Sequence, residues 1–217
     1  MVIISKILYF ISHHGFLTVL LLILVLGSIS YWRKKFIYAI LIIPLAIANA
    51  FASQFLNAWF LNKYGTESLA TLVADEQTNS TLNDQYIHDY EAIVRKPDGK
   101  YISAYFSTTS AAIYPITNAI RIPSINTTFP VKYIPGYEKN IVILYNKSEN
   151  GQKFLRYEKL RPIETARIKY EADRTNKDFV AGYIAALKAY NNDFSDEQSV
   201  RFKQKIEELE AELNRLK

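Results

Sequence analysis

One histidine, His88 in the stretch YIHDYEAIV, stands outside the apolar first third of the chain, so imidazole chemistry in the polar region rests on it alone. A general base, a Ser-His-Asp triad and a His-rich zinc site each need further groups fixed around such a ring. Alternation in an extended segment puts Tyr86, His88, Tyr90, Ala92 and Val94 on one face, and a histidine set among these reads as a hydrogen-bonded structural group. Asp75 and Glu76 are adjacent and point to opposite faces of a strand, which sets no glycosidase separation. The chain has no cysteine, and none of its 7 glycines makes a phosphate-cradling loop. No HExxH, GxSxG or EF-hand pattern occurs. These readings predict no enzyme, no cofactor and no metal. His13 and His14 sit at the start of a long apolar run, where ionisable groups invite a proton-relay reading; at the edge of that run they read as interfacial.

What must position these groups is a membrane unit followed by a polar region. Of the 217 residues, 21 are acidic and all lie after position 62, as do 22 of the 26 Lys and Arg. The remaining four cations are Lys6, Arg33, Lys34 and Lys35, so the excess positive charge is a membrane-topology signal and predicts no nucleic acid partner. Residues 11–30 and 36–60 are each long enough to cross a hydrocarbon core of about 30 Å. Five residues join them as a tight antiparallel hairpin, with Tyr31, Trp32 and Tyr38 at the turn and Trp59, Phe60 and Tyr64 at the far end, where interfaces should fall. Small residues at Ser28 and Ser30 offer the rival reading of a cleaved signal peptide.

Arg33, Lys34 and Lys35 compete with Lys6 and Lys63 on the opposite side, and the positive-inside bias puts the contiguous three in the cytoplasm. The region after Tyr64 is then expected outside, in the periplasm of a bacterial inner membrane. Within the second run Asn49, Ser53 and Asn57 recur every four residues beside Ala46 and Ala50. This small, polar face predicts helix packing, against the first span or within a homo-oligomer. Pro44 predicts a kink.

From Thr66 the period becomes two, and ESLATLVAD, YIHDYEAIV, KYISAYF, FPVKYIP, NIVILYN and KFLRYE read as short strands. KPDG at residues 96–99 supplies a hairpin turn, and TNSTLNDQ separates the first two strands. Strands following one another without helices predict a small antiparallel β-barrel or sandwich over residues 65–160. Sixteen tyrosines, many in these strands, suit half-buried walls or binding surfaces.

The order of steps at residues 70–76, 79–85, 86–106 and 131–144 resembles a bacterial family of unknown function whose members join two transmembrane helices to a small β-barrel domain. In that family a first strand enters an Asn/Thr-rich turn, a Tyr-rich strand meets a Pro-Asp-Gly hairpin, and a V-x-Y-x-P step precedes a final Val/Ile strand. The resemblance implies this architecture and no catalytic residue.

Residues 161–217 predict a C-terminal helical hairpin started by Pro162, with DRTNKD at residues 173–178 as a break and Ser195 as the N-cap of the last helix. There Phe202, Ile206, Leu209, Leu213 and Leu216 form a short heptad seam, which folds back on the preceding helix or meets a partner. With residues 1–64 as a transmembrane hairpin, the whole predicts a membrane α-hairpin plus an α+β extramembrane region. The function expected is a non-enzymatic docking surface, an accessory subunit of a membrane complex; the alternative is an immunity protein neutralising a periplasm-acting toxin. Expected partners are the lipid bilayer and a protein or second copy.

Overall fold

A computed structural model describes residues 1–117 and 119–216; Asn118, in the long loop after the third strand, and Lys217, at the end of the expected helical hairpin, lie outside the described residues. The chain forms two compact units, Met1–Asn150 and Gly151–Lys217.

The first unit begins with α1 (Val2–His13) and α2 (Gly15–Arg33), separated by a break at His14, so the first apolar helix starts four residues later than the expected span. After the turn come α3 (Ile37–Ile40) and α4 (Ile42–Tyr64). The kink falls at Leu41 because Pro44 has no N–H to offer the carbonyl of Ile40 and its ring crowds that turn. Gly15–Arg33 and the kinked Ile37–Tyr64 are both long and apolar enough to cross a membrane. Lys34 closes α2 with φ 52, and Arg33 stacks over Trp32.

Six strands follow: β1 (Thr66–Leu82), β2 (Gln85–Arg95), β3 (Tyr101–Ser107), β4 (Ile113–Tyr114), β5 (Thr128–Ile134) and β6 (Tyr137–Leu144). They form one mixed sheet in the order β3-β2-β1-β5-β6-β4, antiparallel except for the short β4–β6 pair. β1 runs farther than expected, through TNST to Leu82, and the turn shrinks to Asn83-Asp84. Both residues take positive φ, 51 and 61, as a two-residue hairpin demands. Gly99 supplies φ 81 in the KPDG turn.

The sheet curls, bringing β3 near β6 across its concave face. Ala70, Leu72, Ala92, Val94, Ala104, Phe106, Phe129, Val131, Ile141 and Ile143 fill that face. On the opposite side Val142 and Leu144 meet Leu8 of α1 and Ala58, Phe60 and Leu61 of α4. β6 is thus covered on both faces, the physical reason its NIVIL run is apolar without alternation.

The second unit corrects two expectations. KFLRYE is helical, not a strand: α5 (Glu149–Ala172) starts before it and carries Pro162 inside, so the boundary falls after Asn150, ten residues ahead of the one expected at 160. DRTNKD does break the helix, and α6 (Lys177–Asp193) and α7 (Glu197–Arg215) follow, giving three helices where a hairpin was predicted. Asp196, not Ser195, caps α7. Its carboxylate accepts from the Ser199 N–H at 3.0 Å while the Ser199 hydroxyl accepts from the Asp196 N–H, a reciprocal box. Ile206 and Leu209 are buried and Phe202, Leu213 and Leu216 pack around them against α6, so the heptad seam holds this unit together.

Candidate binding groove

β1 and β2 continue past the rest of the sheet as a two-stranded arm. β1 pairs with β5 only from Thr66 to Thr71, and β3 reaches β2 only from Asp89 onward. At the root of the arm the register slips. Leu72 faces Ala92, the next paired residue is Ala74 opposite Glu91, and Val73 is the extra residue of a bulge. The slip turns Asp75 onto the concave face, opposite Tyr90 and diagonal to His88. Without it Asp75 would point outward.

On that face the His88 ring donates Nδ1–H to Asp75 Oδ1 at 2.6 Å, with the side chains 33% and 38% exposed respectively. His88 stacks on Tyr90 at 6.0 Å between centroids, and Tyr90 on Phe106 at 5.5 Å. Burial holds the Tyr90 phenol above its ordinary pKa; a hydrogen bond with Thr108 opposes this and the Asp75 charge adds to it. The Thr108 hydroxyl also accepts from the His88 backbone N–H at 2.9 Å and bonds the His88 carbonyl at 3.3 Å. It is therefore engaged with main chain and phenol. No cluster of three or more metal-ligating side chains occurs among the described residues.

His88, Tyr90 and Thr108 of this constellation line a groove of about 750 Å³. Tyr86, Ile87, Ile120, Ile122, Asn83 and Asp84 line it as well. Between Lys63 and Arg95 the chain has no Lys or Arg, while Asp75, Glu76 and Asp84 lie on the arm and Asp89 and Glu91 at its root, paired with β3. Arg121, between the two isoleucines, stacks over Tyr145 instead of lining the groove. That one-sign stretch was the available sequence signal; pairing Asp75 with His88 required the bulge.

A second polar site joins the helices to the sheet. Asn57 and Asn140 exchange two amide hydrogen bonds, both 2.9 Å, and Asn140 Nδ2 also reaches the Ser5 hydroxyl at 3.0 Å and carbonyl at 3.1 Å. All three residues are buried. Of the predicted packing face, then, Asn57 bonds to β6 and through it to α1. Asn49 lies beside Gly15, Ala46 and Ser53 are half-buried, and Ala50 is exposed. His13 Nε2 contacts the Tyr105 carbonyl at 3.2 Å, so the end of α1 reaches β3.

Comparison of the chain with family models, curated proteins and solved structures finds no match.

Proposed function

We propose that this chain is a non-enzymatic membrane-anchored docking protein: two spans hold the curved sheet, a half-open barrel, in fixed orientation over a bacterial inner membrane, with the sheet and the C-terminal helices on the periplasmic side as an accessory part of a membrane complex. The observation that carries the reading is the Asn57–Asn140–Ser5 lock. The second helix runs 28 residues from Ile37 to Tyr64, about 42 Å at 1.5 Å per residue, whereas a hydrocarbon core takes about 30 Å. Its last two turns leave the bilayer and dock on β6, so the anchor and the sheet form one body. Lys6 and Lys139 flank the Tyr137 ring at 5.6 and 5.2 Å, and Lys63 sits over Trp59 at 5.0 Å, suiting this end to anionic headgroups. Lys139 is remote in sequence from either span and so leaves the insertion bias of the tip unchanged.

A rigid anchor presenting an open acidic arm suits the capture of another polypeptide, whether a resident subunit or, in the second reading, an incoming toxin. The test is affinity purification of the full-length protein from its native membrane. A stoichiometric protein recovered without any toxin present supports the subunit reading; a chain that elutes alone, but rescues growth when a toxin is co-expressed, supports immunity.

A further inference from the structure

We propose that the groove lined by Tyr86, His88 and Tyr90 receives a lysine or arginine side chain from a basic segment of the partner protein, a proposal that rests on the docking reading and names its chemistry. A cation on an aliphatic stem needs an apolar wall for its methylenes and an electron-rich or anionic surface for its head. The groove lining supplies both: apolar surface from Ile87, Ile120 and Ile122, and ring faces from Tyr86, His88 and Tyr90. Asp84 also lines the groove, and Asp75 pairs with Tyr90 from the neighbouring strand. Tyr86 is 53% exposed, a large ring facing solvent where a partner would cover it.

Charge commits the choice of occupant. Asp75, Glu76 and Asp84 lie on the arm, Asp89 and Glu91 at its root, and residues 64–94 hold no Lys or Arg, so the field here attracts cationic segments and repels nucleic acids, anionic lipids and acidic peptides. The Asp75–His88 bond fixes the His88 ring in place before a partner arrives, which lowers the ordering cost of binding.

The probe is a fluorescent oligolysine peptide added to the full-length protein in detergent, with an oligoglutamate peptide of equal length as the comparison. Oligolysine is expected to bind and oligoglutamate not. Two substitutions dissect the groove without disturbing its frame: Tyr86→Ser removes the exposed ring, and Asp84→Asn keeps a residue that tolerates the φ of 61 at this turn. Together they are expected to weaken oligolysine binding by about tenfold, the scale of one cation–π contact and one charge. Glu76→Gln, on the opposite face, is expected to weaken it by less than about threefold at moderate salt. Equal losses from Glu76→Gln and from the groove pair would show diffuse attraction to the arm and overturn the proposal, as would an unchanged affinity in the groove pair. Near-ultraviolet circular dichroism verifies that each variant retains its fold. Repeating the native-membrane purification with the groove pair separates the two readings. A partner retained by both wild type and variant leaves docking standing and removes the groove; a partner lost only from the variant supports both; no partner from either, with no rescue of growth against a toxin, overturns docking, whatever oligolysine does.

Discussion

The amide of Asn140 sits where β6, α1 and α4 meet, and its hydrogen bonds are made away from water. A buried polar group left without partners costs about 1–3 kcal/mol, more than the bond itself contributes when both partners are present. Asn140→Leu strands the amide of Asn57 and the hydroxyl of Ser5 together. It is expected to destabilise the full-length protein by about 2–4 kcal/mol as those unmet groups accumulate, measured by thermal unfolding in detergent. Pairing it with Asn57→Leu removes the complementary amide and should recover about half of the loss. A double variant no better than the single would mean that Ser5 alone sets the cost. Asn57 was legible as a polar residue at helical spacing, but its partner lies 83 positions away on a strand, and helix periodicity says nothing about such a distance. His88 reads differently again: its face was legible from the alternation of YIHDYEAIV, and the structure keeps Tyr86, Tyr90, Ala92 and Val94 beside it on the concave side. Its carboxylate was not, because a bulge at Val73 leaves no mark in residue type.

At the scale of elements, local chemistry decided more than period did. The KPDG hairpin, the kink ahead of Pro44 and the break at DRTNKD follow from φ preferences and missing donors, and each occurs where those residues stand. KFLRYE failed because six residues that satisfy an alternating pattern also continue a helix, and Lys, Leu, Arg and Glu favour the helix once Glu149 has started it. The cap of α7 offers a measurement on the second unit. The Ser199 backbone N–H holds the Asp196 carboxyl below its ordinary pKa, with the Tyr190 hydroxyl, the Ser199 hydroxyl and Arg156 assisting. Asp196→Ala should lower stability by about 1 kcal/mol at neutral pH. A carboxyl that ionises more readily in the folded state than in the unfolded state stabilises fully above the unfolded value of about 3.9, and that contribution disappears as the pH falls through the lower folded value. The wild-type advantage over Asp196→Ala should therefore persist from neutral pH to about pH 5 and shrink below about pH 4. An advantage that stayed constant into acid would mean that the protonated Asp196 carboxyl caps the Ser199 N–H as well as the ionised one does.

For the whole molecule, one orientation governs which compartment the groove sees. The hairpin tip carries Arg33, Lys34 and Lys35 in succession, and carrying each of these charges outward against the membrane potential costs about 2.3 kcal/mol per 100 mV. Lys6 and Lys63 flank the opposite ends of the helices, but they are separate and each neighbours aromatic rings suited to an interface. The lock at Asn140 then carries the consequence to the sheet: once the tip is retained inside, β1–β6 lie on the other face. Because the chain has no cysteine, single-cysteine variants report their position without background. In intact cells whose outer barrier has been permeabilised, Asp98→Cys in the exposed KPDG turn should react with a membrane-impermeant maleimide, and Lys34→Cys should react only after lysis. The reverse pattern would place the acidic groove in the cytoplasm, where the same basic ligand chemistry holds but the partner must be a cytoplasmic chain. Labelling at both positions before lysis would mean mixed insertion, and separating the tip charges by Lys34→Gln should then increase the inverted fraction.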